Sequence, residues 1–201
     1  MKYVIGIGGG IGAGKSVVSR ILRTWNYPVF DCDSEAKALM DNDGEIKRRL
    51  SEEISSEVVA DGEIKRALLA NIVFADSGKR AILNAIVHQA VRYRFAAWVE
   101  AQSSDIVFVE AAILHTSGMI ADVDEEWRVT APEDVRISRV MTRNGVTASQ
   151  VRERMAAQQA DENPAVEPVP VVKIINDGET PLLPQLIAAI RRDRPCCTPR
   201  R

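Results

Sequence analysis

The sequence predicts an α/β fold, a five-stranded parallel sheet covered by helices on both faces. Three observations carry that prediction. Short apolar, β-branched runs alternate with stretches whose apolar residues recur three and four apart, as strands joined by crossover helices do. The run "DIVFVEAAIL" is apolar on both faces, as a strand at the centre of a parallel sheet must be. The first run, "KYVIGI", passes directly into "GGGIGAGKS", five glycines in nine residues at a strand-to-helix turn.

Each element follows in order. Residues 2–7 read as a buried first strand, and "SVVSRILRTW" after the glycine turn predicts a helix over about 15–25. "YPVFDCD" predicts a second strand, bounded by Pro28 and ending in the carboxylates Asp31 and Asp33. From 34 to 103 the pattern is helical almost throughout, in "SEAKALM", "GEIKRRLSEEI", "GEIKRALLANIVF" and "SGKRAILNAIVHQAVRYRFAAWVEAQ". "DIVFVEAAIL" is the third strand and "EEWRVTAP" the fourth; a charged helical stretch covers 133–161, "VVKIIND" is the fifth strand, and "PLLPQLIAAIRR" the last helix. The connection over residues 34–103 far exceeds the dozen or so residues that a plain crossover needs. It predicts a helical subdomain at the C-terminal edge of the sheet, where open α/β sheets bind ligands.

Composition bounds the function. The chain of 201 residues suits one well-cored domain with a small appendage, and 46% apolar with 27% charged residues is a globular average. No apolar run approaches the ~20 residues of a membrane span. The opening "MKYVIGIGGG" lacks the features of a signal peptide, so the expected location is the cytoplasm, with no membrane partner. The net charge is −2, and the only basic cluster is the end "RRDRPCCTPRR", which argues against a nucleic-acid partner and makes 196–201 a flexible tail. Cys32, Cys196 and Cys197 fit neither a disulfide framework nor a zinc site and read as reduced thiols. Trp25, Trp98 and Trp127 read as core or domain-seam residues.

Gly9 through Ser16 spell G-x-x-x-x-G-K-S between a predicted strand and a predicted helix, the context a phosphate-binding loop (P-loop) requires. Glycines let successive backbone amides turn inward to phosphate oxygens, and the following helix presents its positive end to the same anion. Gly10, Ile11, Gly12, Ala13, Gly14, Lys15, Ser16 and Val17 form the expected nucleotide-binding stretch. Within it Lys15 reaches the β and γ phosphates of ATP and the Ser16 hydroxyl ligates Mg²⁺. Three classes then remain: a small-molecule kinase, a nucleotide-dependent switch or motor, and a nucleotide-binding module without transfer chemistry. The Asn-Lys-x-Asp of guanine-specific switches is absent, and the third strand ends in Glu110 rather than aspartate.

"FDCD" favours a kinase. On an extended strand Asp31 and Asp33, two apart, project to one side. One carboxylate can then orient Mg²⁺ through water while the other accepts the proton of an attacking hydroxyl. Glu110 is a second candidate for the magnesium-bound water. The plainer alternative is helix capping, since Asp33-Ser34 precedes a helix. Arg139 and Arg143, four apart on the charged helix, suit a lid over the triphosphate as well as they suit a solvated helix face.

These residues together resemble one family. "GGGIGAGKS" followed by "VFDCD", then "IKRALLANIVF", "ILNAIVHQAV", "SRVMTRNGVTASQVRERMAAQ" and "IINDG", in that order over residues 2 to about 190, are similar to the dephospho-coenzyme A kinases. The resemblance implies ATP-dependent phosphorylation of the 3′-hydroxyl of dephospho-coenzyme A, the last step of coenzyme A synthesis, with Mg²⁺. It implies a P-loop kinase fold with a nucleotide-binding core of 1–33, 104–135 and 165–195, a coenzyme-binding subdomain of 34–103 and a lid of 136–164. By position, Asp33 corresponds to the general base and binds the substrate. Arg66 and His88 lie on the substrate side. Arg139 and Arg143 are phosphate-contacting lid arginines, with Arg139 and Lys15 counted as catalytic, and Asn176 lies beside the adenine of ATP. Three positions depart from the family pattern: Gly8 stands for a threonine, Gln89 for a proline, and His115 for a glutamate. A kinase of another small alcohol, of shikimate or nucleotide type, is the alternative; shikimate-type kinases also end the second strand in D-x-D but carry a later glycine triplet that this chain lacks.

Overall fold

A computed structural model describes residues 2–162 and 164–193. Strand β1 (Tyr3–Gly8) is buried along its whole length. The glycine turn follows, and α1 (Lys15–Thr24) begins on the lysine of that turn, burying Val18, Ser19 and Leu22. Strand β2 is only Val29–Asp31. Helix α2 (Cys32–Asn42) starts at once, because the Asp31 carboxylate caps it, accepting from the Ser34 amide at 3.0 Å and from the Ser34 hydroxyl at 2.9 Å. This corrects the reading of "VFDCD" as one extended strand: Asp33 lies in the first turn of a helix, so Asp31 and Asp33 do not share a strand face. The capping alternative was right in kind, but the cap is Asp31 rather than Asp33 or Ser34.

Helix α3 (Gly44–Glu53) is capped by Asp43, whose Oδ1 accepts from the amides of Glu45 and Ile46. Strands β3 (Val59–Ala60) and β4 (Glu63–Ile64) form an antiparallel hairpin inside the stretch read as helical. Its two-residue turn, Asp61-Gly62, has positive φ at both positions, the geometry that an Asp-Gly pair favours. Helices α4 (Arg66–Ala75) and α5 (Ser77–Ala101) complete this region. Then come β5 (Ile106–Glu110), β6 (Glu125–Thr130), α6 (Glu133–Asn144), α7 (Ala148–Ala157), α8 (Gln159–Glu162), β7 (Val171–Ile175) and α9 (Leu182–Ile190).

Five strands make one parallel sheet, as the sequence predicts, and their order is β2-β5-β1-β6-β7, with β1 central. The register pairs Ile7 with Glu110 on one side and Gly8 with Arg128 on the other, so the end of β1 delivers the glycine turn between β5 and β6. By internal contacts the chain divides into two compact units, Asp31–Ala101 and the rest. The sheet unit packs Ile5, Ile7, Phe108, Val129 and Ile174 against Val18 and Leu22 of α1 and Leu186 of α9. Trp127 is fully buried there, edge-on to Phe108 with ring centroids 5.1 Å apart, and its indole N–H donates to Glu125 at 2.7 Å. The helical unit has its own core of Ile46, Leu50, Ile54, Val58, Leu69 and Ile86. Among the described residues no helix is long and apolar enough to cross a membrane.

Candidate active site

The glycine turn is a nest whose curvature needs residues without a Cβ. Gly12 has φ +79°, and a Cβ there would lie 2.6 Å from the Arg136 carbonyl oxygen. Gly14 has φ +100°, and its Cβ would run into the side-chain amide of Asn176. Lys15 folds across the turn, its ammonium donating to the Gly9 carbonyl at 2.6 Å and to that of Gly10 at 3.4 Å. The Ala13 amide donates to the Gly10 carbonyl at 3.2 Å, and Ser16 is exposed in the first turn of α1.

Residues far along the chain close on this turn. Asn176, one residue past β7, donates its side-chain N–H to the Ala13 carbonyl at 2.8 Å, while its own amide donates to Thr130 at the end of β6. Arg139 donates to the Asn176 carbonyl at 2.8 Å. The structure therefore brings together Arg139, Asn176 and the phosphate turn. It does not place Arg143 with them: Arg143 is exposed, donating to its neighbour Asn144. Two further side chains, which the sequence reading did not single out, hold Ile11. The Arg136 Nε donates to its carbonyl and the Gln158 Oε1 accepts from its amide, each at 2.9 Å. The signals were present, since Arg136 lies three residues from Arg139 on one helix face and Gln158 ends the quoted lid stretch.

Beside the turn lies a cavity of about 290 Å³, lined among others by Gly9, Gly10, Arg128, Thr130, Arg136 and Lys173. Its basic wall is tempered by a buried ion network. Glu126, 1% exposed, accepts from Arg128 through both oxygens at 2.9 and 2.8 Å, and its Oε2 lies 2.8 Å from His115 Nε2. Arg128 also reaches Glu167 with two bonds of 2.6 Å. These bonds, from Glu167 first and then Glu126, hold the Arg128 guanidinium above its ordinary pKa, and Arg128 in turn holds Glu167 below the usual carboxylate range. His115, Glu126 and Glu167 bring possible ligand atoms within 4.8 Å of one another, but Arg128 already bridges both carboxylates and supplies the positive charge they require. The same network gives a reason for Gly8. A Cβ there would lie 2.5 Å from Glu126 Oε1, so a larger residue would push the carboxylate off its partners. Asp161 of α8, also buried, accepts on one oxygen from the amides of His115 and Thr116 and from the Thr116 hydroxyl, at 2.7–3.0 Å.

The remaining expected residues lie in the helical unit. Asp33 is exposed in the first turn of α2. Arg66, the first residue of α4, pairs with Asp41. His88 on α5 is half-buried, and burial, aided by the Arg92 charge one turn away, pushes its pKa down. Gln89 accepts from Arg49 at 3.1 Å, a surface contact of α5 with α3.

The family model described as dephospho-CoA kinase matches residues 3–180. The chain belongs to the dephospho-CoA kinase family. A dephospho-CoA kinase of Porphyromonas gingivalis is 38% identical over 194 residues, covering 95% of this chain and 96% of that protein. That of Bacteroides fragilis is 37% identical over 191 residues, covering 94% and 92%. Among solved structures, TT1252 from Thermus thermophilus aligns with a TM-score of 0.79 at 32% identity, over 94% of this chain and 96% of its own. The dephospho-CoA kinase from Campylobacter jejuni shares the fold, with a TM-score of 0.64 at 20% identity. Glu110 ends β5 opposite Ile7, and Ser16 stands in the first turn of α1; a carboxylate and a hydroxyl are oxygen donors of the class that a hard cation such as Mg²⁺ takes.

Proposed function

We propose that this chain transfers the γ-phosphoryl group of ATP to the 3′-hydroxyl of dephospho-coenzyme A, giving coenzyme A and ADP. The observation that carries the reading is the phosphate turn, with Lys15 folded over it and Asn176 and Arg139 bonded into it, in a chain that belongs to the dephospho-CoA kinase family.

In this reading the loop amides and the N-terminal end of α1 cradle the phosphates. Lys15 leaves the carbonyls of Gly9 and Gly10 to meet the β and γ oxygens. Arg139 adds charge where the transferring group becomes more anionic, positioned by its bond to the Asn176 carbonyl. Asn176 itself borders the adenine. Ser16, with Glu110 or Asp31 through water, would hold Mg²⁺, which would supply positive charge against the triphosphate. Asp33 accepts the proton of the 3′-hydroxyl as that oxygen attacks phosphorus, and Arg66 and His88 serve the coenzyme. Residues 34–103 form the coenzyme-binding part and 136–164 the lid.

The test is coupled ADP release with ATP and Mg²⁺, with and without dephospho-coenzyme A, together with the mass of the product. A rate that depends on the acceptor, with a mass gain of one phosphate, supports the reading; ATP binding without acceptor stimulation overturns it. Asp33→Asn is expected to lower kcat by about 10²–10⁴ with the KM for ATP nearly unchanged, the size of effect that general-base removal has. Near-normal turnover in that variant would remove Asp33 from the base role.

A further inference from the structure

We propose that Gln158 and Arg136 clamp the third residue of the phosphate turn, and that Gln158 is a positioning residue for ATP; the proposal rests on the kinase reading above. Ile11 is held on three sides by the α6–α8 segment. Its amide donates to Gln158 Oε1 and its carbonyl accepts from Arg136 Nε, each at 2.9 Å. Its side chain packs on the small core of Ile137, Val140 and Val151. The next residue, Gly12, leaves room for the backbone of Arg136.

A glycine-rich turn has little side-chain packing to define it, so its shape must come from elsewhere. Here one residue of the turn, Ile11, has both its backbone N–H and its backbone C=O bonded by side chains. Val151, fully buried, anchors α7 in the small core on one side of Gln158. On the other side Asp161 ties α8 to the turn at His115 and Thr116. The Gln158 amide group is therefore presented at a set reach, and little conformational freedom is lost when it bonds the loop. The Ile11 N–H, committed to Gln158, orients the turn and leaves the phosphates to the amides that follow. The phosphate turn is thus shaped by the α6–α8 segment before the nucleotide arrives, and loosening the clamp weakens ATP binding without touching the acceptor side.

The test compares Gln158→Met, which keeps the length of the side chain but has no amide oxygen, with Gln158→Asn, which withdraws the amide by one methylene, and Gln158→Glu, which retains an acceptor. Amide hydrogen exchange at Ile11 reads the bond directly. The Met and Asn variants are expected to speed that exchange about tenfold or more and to raise the KM for ATP about tenfold, the cost of one lost bond in the binding arithmetic. The KM for dephospho-coenzyme A and the melting temperature stay close to the parent's. Gln158→Glu is expected to keep Ile11 protected. An Ile11 amide equally protected in all the variants overturns the clamp. So does a rise in both KM values alongside a fallen melting temperature, which marks a merely structural residue. If the parent protein shows no acceptor-dependent turnover, the kinase reading fails by itself, and calorimetric titration of ATP into the same variants still decides the clamp.

Discussion

Ser19 sits fully buried on α1, and among the described residues its hydroxyl is the one buried side-chain oxygen or nitrogen without a hydrogen-bond partner. A buried hydroxyl without a partner carries its desolvation cost uncompensated, about 1–3 kcal/mol in protein series. Ser19→Ala is expected to stabilise the protein by about 1 kcal/mol, read as a higher urea midpoint with an unchanged m-value; a lower midpoint would mean that the hydroxyl has a partner in solution. Gly14 is the opposite case. Its φ of +100° and the Asn176 amide beside it leave no room for a methyl group. Gly14→Ala should therefore lose most ATP binding in a calorimetric titration while the protein still melts cooperatively, and binding at the parent's level would show that the turn can reshape.

Elements are set by their ends as much as by their faces. Helix α7 begins with a capping box in which the Thr147 hydroxyl accepts from the Gln150 amide and the Gln150 side chain accepts from the Thr147 amide. Thr147→Ala is expected to cost about 1 kcal/mol of stability. Because α7 carries Gln158 at its end, the same substitution should weaken ATP more than dephospho-coenzyme A, and an equal loss for both would separate the cap from the phosphate turn. Capping also explains the misread strand. "VFDCD" has the apolar start and carboxylate end of a strand, but Asp31 followed by Ser34 three residues later is an N-cap pattern, and the side-chain bonds to Ser34 stop the strand at Asp31. The Asp61-Gly62 hairpin was legible on the same local grounds and was overrun by the helical periodicity on either side.

Among the described residues the unit of residues 31–101 has an apolar core of its own, separate from that of the sheet. Leu50 is fully buried there, and Leu50→Ala should cost about 2–5 kcal/mol. His88 links the same unit to pH. Burial, and then Arg92, lower its pKa in the folded state, so the unfolded chain binds the proton more readily. Between the folded value and the ordinary value of about 6.5 the unfolded state carries more protons, so this group's contribution makes stability rise with pH through that window and fall as the solution is acidified. His88→Gln is expected to flatten the pH dependence of the urea midpoint below about pH 6.5; an unchanged profile would show that His88 titrates alike in both states.

By itself the sequence determined the order of the five sheet strands along the chain, the glycine-rich turn between β1 and α1, and the family to which the chain belongs. These features are local: a turn of eight residues or an apolar period is complete within its own stretch, and sterics and burial act on it there. What holds the phosphate turn was decided only by the tertiary structure. Ile11 meets Arg136 and Gln158 across 125 and 147 positions, and Asn176 meets Ala13 across 163. The Gly8, His115 and Glu126 arrangement belongs to the same kind. Arg136, Gln158 and Glu126 are ordinary polar residues where they stand, and become specific only when the parallel sheet places β6, β7 and the α6–α8 segment beside the end of β1, because a hydrogen bond is a relation between two places in space that one-dimensional spacing does not record.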